Sequence, residues 1–145
     1  MVPLSYPAKL RPEARGKGYV VQFPDLPEAL TGGGDLAEAL DEAGDCLGEA
    51  LACRMVLKEE LPAPSKPGRA HYRIAVPLHL APKVALYMAM RELGMGTGEL
   101  AKRLGWPEGT VRRLLNPKAE SRPEKLQQAL GALGKQILVA VDSAA

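Results

Sequence analysis

The stretch Leu100-Ala-Lys-Arg-Leu-Gly-Trp-Pro-Glu-Gly-Thr-Val-Arg-Arg-Leu-Leu115 constrains this chain more than any other, because its spacing fits two short helices joined by a tight turn. Ala101 precedes Gly105 by four residues, and Val111 and Leu114 follow at helical spacing. A small residue at 101 lets a second helix cross closely over the first, and a glycine at 105 supplies the positive φ that such a turn needs. Leu100, Leu104, Trp106, Val111 and Leu114 then fill the angle between the helices. At about 100° per residue, Leu115 falls beside Val111 and Leu114, and Gly109, Arg112, Arg113 and Asn116 gather on the opposite face. Guanidinium and carboxamide groups read guanine and adenine edges in the major groove, so the pattern predicts a helix-turn-helix that binds DNA. The competing reading is a plain helical hairpin with solvated arginines.

The rest of the chain allows one ordinary domain or two small ones in 145 residues. A hydrophobic share of 46% with 25% charged residues describes a globular chain, and 4% aromatics leave the core to Leu, Ala and Val. No apolar run reaches the ~18 residues of a membrane span, and Met1-Val-Pro-Leu-Ser-Tyr-Pro7 does not read as a signal peptide. The expected location is the cytoplasm. Cys46 and Cys53 lie seven apart in a predicted helix, roughly 10 Å, too far for a disulfide, and read as small buried residues. His71 and His79 have no partner at ligand spacing, so neither a metal nor a cofactor is expected. Residues 1–66 carry 7 Lys/Arg against 11 Asp/Glu, and residues 67–145 carry 12 against 6. An acidic front of −4 and a basic rear of +6 suit two partners of opposite charge.

Along the chain, residues 6–10 and 18–23 read as strands around the hairpin loop 11–17. Pro24 and Pro27 end the second strand, since neither donates to a ladder, and a brief extended segment, 28–31, leads to Gly32-Gly-Gly34. The triplet lacks the Lys-Ser/Thr of a phosphate loop and is read as a loop of unusual φ. Asp35 and Glu38 form an Asp variant of the capping box for a helix from Leu36 to about Leu57. Its apolar stripe is Leu36, Leu40, Ala43, Leu47, Ala50 and Leu51; Glu38, Asp41, Glu42, Asp45 and Glu49 line the other side. Residues 61–68 are Pro-rich but lie inside the first domain, because 71–76 is a strand that needs the first sheet. The hinge is 77–82, which divides the chain into domains 1–78 and 79–145. A helix follows at 83–93, then the helix-turn-helix with Thr97 as cap. Ser121-Arg-Pro-Glu124 is a capping box for a last helix, and Ile137–Val141 is a short strand that needs a partner, a second subunit or the first domain.

Tyr6-Pro-Ala8, Gly18-Tyr-Val-Val-Gln-Phe-Pro-Asp-Leu-Pro-Glu-Ala-Leu-Thr31 and the Ala/Glu-rich helix after the glycines closely resemble HicB-type antitoxins. Arg103-Leu-Gly105, Val111-Arg-Arg-Leu-Leu-Asn-Pro117 and Leu130-Gly-Ala-Leu-Gly134 resemble the subgroup with a Cro-like helix-turn-helix. The resemblance implies an α+β chain: a truncated ribonuclease-H-like α/β domain, one small sheet and one main helix, then an all-α helix-turn-helix domain with a short C-terminal strand. It implies a basic, mRNA-cleaving HicA-type toxin as partner, and binding to the operator of the shared operon. A working ribonuclease H holds metals with carboxylates, the first on its opening strand. Residues 6–10 contain no acid, so no enzymatic activity is expected.

The expected toxin contacts are Asp25, Glu28, Glu38, Asp41, Glu42, Asp45 and Glu49. The expected DNA contacts are Thr97, Lys102, Glu108, Gly109, Thr110, Arg112, Arg113, Asn116, Lys118 and Arg122, with the protein acting as a homodimer or higher homo-oligomer on half-sites about one helical turn apart. The reading from a different class is a free-standing transcription regulator whose α/β domain senses a small ligand.

Overall fold

The computed structural model describes residues 3–143, which form a mixed α+β protein with one four-stranded antiparallel sheet and five helices. It divides into two compact units that part between Ala81 and Pro82.

In the first unit, β1 (Ser5–Pro12), β2 (Tyr19–Phe23), β3 (Leu26–Gly33) and β4 (His71–Ala75) form a sheet ordered β3-β2-β1-β4. The turn between β2 and β3 is only Pro24-Asp25, and the register slips there: Phe23 pairs with Leu26 but Gln22 with Leu30. Pro27 falls inside that slip on an edge strand, where its missing N–H breaks no ladder. Strand β2 ends at Phe23, immediately before Pro24, as the prolines predict, but the chain re-enters the sheet at once, and β3 is eight residues long rather than a brief extended segment.

Helix α1 (Leu36–Val56) packs on β3, with smaller contributions from β2 and β4. Asp35 accepts from the Glu38 backbone N–H at 2.8 Å, the cap expected from sequence. Tyr6, Ala8, Val21, Phe23, Leu26, Ala39, Ala43, Leu47, Leu51 and Ile74 are buried. The helix is rotated relative to the expected stripe: Leu36 is exposed, while Ala39 and Met55 are buried. The glycine triplet accounts for this. None of Gly32, Gly33 and Gly34 has positive φ, contrary to expectation. A Cβ on Gly33 would lie 2.4 Å from the Ala39 nitrogen, and one on Gly32 would lie 2.6 Å from the Tyr19 carbonyl oxygen. The glycines serve close approach of backbone to backbone, and only small residues on α1 fit against them.

The second unit contains α2 (Ala81–Glu92), α3 (Thr97–Leu104), α4 (Glu108–Leu115) and α5 (Pro123–Ala132). Leu86, Met90, Leu100, Ala101, Val111, Leu114, Leu126 and Leu130 form its core, with Leu104 and Trp106 packed against it. Gly105 ends α3 at φ 70°, and the Trp106 N–H returns to the Ala101 carbonyl at 3.0 Å. Two expected caps are corrected. Gly96, not Thr97, precedes α3, and Arg122, not Ser121, precedes α5. Both hydroxyls are engaged with side chains distant in sequence. The expected C-terminal strand is also corrected: residues 137–141 form no strand within the chain, and Val139 and Val141 are 88% and 97% exposed. A segment becomes a strand only when another strand takes its hydrogen bonds, and among the described residues no strand pairs with this one.

Candidate functional site

Two surfaces carry the sequence-selected residues, one on each unit. On the first, Glu38, Asp41, Glu42, Asp45 and Glu49 are all exposed along α1, as the side opposite a buried Ala39–Ala43–Leu47–Leu51 line must be. Five carboxylates spread over three turns present a continuous negative face.

Asp25 and Glu28 stand apart from that row. Asp25, in the β2–β3 turn, accepts from the backbone N–H of Ser65 at 2.8 Å and from its hydroxyl. Glu28 forms a two-pronged pair with Arg54, whose Nε and Nη2 donate at 2.6 and 2.8 Å. That pairing holds the Glu28 carboxyl below its usual range and raises the guanidinium. Buried Tyr6 donates to the Pro62 carbonyl at 2.7 Å, and burial, with the nearby Asp25 charge, pushes its hydroxyl up to about 12. Tyr6 and Asp25 thus fasten the Pro-rich segment 61–68 against the sheet. Sequence reasoning missed these tethers, since partners 40 to 56 residues apart leave no local signature.

Cys46 and Cys53 are free thiols. Cys53 is exposed, which corrects the expectation that both are buried; it sits on the same flank as Val56 and Leu57, outside the core line.

On the second unit, Gly109, Arg112, Arg113 and Asn116 are exposed together on α4, while Val111 and Leu114 face the core. Thr110 is half-buried, and Lys102, Lys118 and Arg122 are exposed. The Asn116 side-chain oxygen accepts from the Lys118 N–H at 3.0 Å, forming the turn that stops α4. Glu108 accepts from the Thr97 hydroxyl at 2.8 Å and pairs with Arg112 at 3.3 Å.

Lys83 was not singled out by the sequence reading. It is 2% exposed, and its ammonium donates to the Arg113 and Leu114 carbonyls, each at 3.1 Å, and to the Ser121 hydroxyl at 2.8 Å. A cation at the carbonyl end of α4 satisfies groups that the helix itself leaves open. Burial, and secondarily the Arg113 charge, lower its pKa to about 8.

Among the described residues no three His, Cys, Asp or Glu side chains meet as a metal site, and no helix is long and apolar enough to cross a membrane. A family model for HicB-like antitoxins of bacterial toxin–antitoxin systems matches residues 5–85. The chain belongs to the HicB-like antitoxin family. Antitoxin HicB of Escherichia coli strain K12 is 38% identical over 134 residues, covering 92% of this chain and 96% of that relative. Antitoxin HicB 2 of Photorhabdus laumondii is 37% identical over 139 residues, covering 95% and 97%, and Antitoxin HicB 1 of the same organism is 32% identical. The likeness to these antitoxins therefore runs through the helical second unit as well as the segment matched by the family model.

Proposed function

We propose that this chain is the antitoxin of a toxin–antitoxin pair, neutralising a basic HicA-type ribonuclease and repressing its own operon. The observation that carries the reading is the likeness to HicB antitoxins along nearly the whole chain. The first unit, a truncated ribonuclease-H-like fold, binds the toxin and occludes its active site. The exposed Glu38, Asp41, Glu42, Asp45 and Glu49 supply the attraction for a basic partner. Asp25 and Glu28 contribute at the rim while holding the loop 61–68 and Arg54. The unit acts by binding, not by catalysis, and needs no cofactor.

The second unit acts as a Cro-like helix-turn-helix, with α4 in the major groove. Arg112 and Arg113 contact bases or phosphates, and Gly109 and Thr110 permit close approach. Asn116 serves as a base reader, while Lys102, Lys118 and Arg122 clamp the backbone. The exposed apolar segment 137–141 pairs with its copy in a second subunit, giving the two-fold symmetry of a palindromic operator. The complex works in the cytoplasm.

Co-expression tests the toxin half of the proposal. The small basic protein encoded beside this chain is induced alone and then with it, and the purified mixture is run on a sizing column. Growth arrest relieved by this chain, with co-elution, supports the antitoxin reading. A neighbour that is neither toxic nor bound overturns it and leaves the ligand-sensing regulator as the better account.

A further inference from the structure

Glu108 is the one acid on α4, in its first turn, one helical turn before Arg112. A carboxylate on a helix presented to DNA repels phosphates, so its presence there calls for a reason. Its position is fixed from two sides. The Thr97 hydroxyl donates to Oε1 at 2.8 Å, and Arg112 Nη1 lies 3.3 Å from the same oxygen. The carboxyl group also lies over Gly98, where a Cβ would sit 3.8 Å from it. Gly96, the residue before α3, offers no side-chain cap, so the Glu108 carboxylate brings the negative charge that this helix start favours. The hydroxyl of Thr97 has a single proton, and with that proton given to Glu108 it has none to give a phosphate.

We propose that Glu108 is a specificity-determining residue of the α4 surface. Anchored by Thr97 at the start of α3, it holds the Arg112 guanidinium and cancels its charge toward the DNA backbone. Binding to arbitrary duplex, which rests on phosphate neutralisation, is thereby weakened. At the operator a bidentate base contact from Arg112 replaces the interaction with Glu108, so the penalty is recovered only on the correct sequence. The inference rests on the DNA-binding reading of the second unit and deepens it.

The test compares full-length wild type, Glu108→Gln and Thr97→Val for binding to an operator duplex and a random duplex across a salt series. Gln keeps the shape and an acceptor for Thr97 but removes the charge. Glu108→Gln is expected to tighten binding to random duplex about two- to fivefold, the range of an exposed ion pair. It should also steepen the salt dependence by about one unit of log K per log salt, as one further cation becomes available to phosphates. The operator-to-random ratio falls accordingly, and Thr97→Val moves the same way by less. Unchanged random-duplex affinity and ratio in Glu108→Gln overturn the role of Glu108 while leaving the DNA-binding reading intact. If wild type itself prefers no duplex from its own upstream region over random DNA, both fail. Circular dichroism of each variant separates these results from loss of fold.

Discussion

Lys83→Met removes the ammonium beneath α4 while keeping most of its aliphatic stem, so it isolates the charge from the packing. In wild type the group is 2% exposed and its pKa is lowered from 10.5 to about 8, chiefly by burial. The folded state therefore binds fewer protons than the unfolded chain between pH 8 and 10.5, and stability rises with pH across that window. Each pKa unit is worth about 1.4 kcal/mol, so the gain approaches roughly 3 kcal/mol by the top of the window. The methionine variant cannot titrate there and lacks the gain. At pH 7 the variant loses the donor to Leu114 O and Ser121 Oγ, whereas Arg113 O keeps its bond from the Asn116 N–H. Orphaning the buried Leu114 carbonyl costs about 1–3 kcal/mol, with less for Ser121, which is only part-buried, and against this stands the relief of roughly 3 kcal/mol from no longer burying a charge. The two variants of stem length separate further: Lys83→Ala discards three more buried carbon positions, about 2 kcal/mol below Lys83→Met. The single tryptophan, Trp106, packs against the core of the second unit and reports its unfolding selectively. Urea denaturation followed by Trp106 fluorescence, repeated at intervals from pH 7 to 10.5, reads the difference directly. A wild-type minus Lys83→Met difference that stays constant over that range refutes the reasoning.

Gly33→Ala places a Cβ 2.4 Å from the Ala39 nitrogen, backbone that cannot turn aside, so α1 must shift off β3; a loss of at least about 3 kcal/mol is expected in thermal unfolding by far-ultraviolet circular dichroism. Asp35→Ala removes the α1 cap and should cost about 1 kcal/mol in the same assay, with Asp35→Asn recovering most of it. Arg112→Ala should weaken operator binding by about 1–3 kcal/mol and relax sequence preference, measured by fluorescence anisotropy; identical affinity for operator and variant sites before and after would remove Arg112 from base reading.

The parts legible in sequence were those set by local pattern. The 35–38 cap, the positive φ of Gly105 and the alternation in residues 19–23 all depend on neighbours within a few positions. What escaped was decided by distant partners. Ser121 and Thr97 have the residue types of helix caps, yet Lys83 and Glu108 engage their hydroxyls, and the caps fall on Arg122 and Gly96. Leu36 looked like a core residue because it is large and in phase. The close approach at Gly33 instead brings the backbone of Ala39 against β3, and Ala39 is buried in place of Leu36. Asp25 and Glu28 were grouped with the α1 acids by charge alone, and their engagement with Ser65 and Arg54 follows only from the fold.

The acidic face of α1 and the arginines of α4 are assigned to different partners, and inhibition of the toxin's RNA cleavage tests that assignment most directly. Purified toxin is titrated with wild type, with a variant carrying Glu38→Gln, Asp41→Asn, Glu42→Gln, Asp45→Asn and Glu49→Gln, and with Arg112→Ala/Arg113→Ala. The account predicts that wild type and the arginine variant stop cleavage near stoichiometry, and that the neutralised α1 requires at least tenfold more protein. Equal inhibition by all three, or none by wild type, would contradict it.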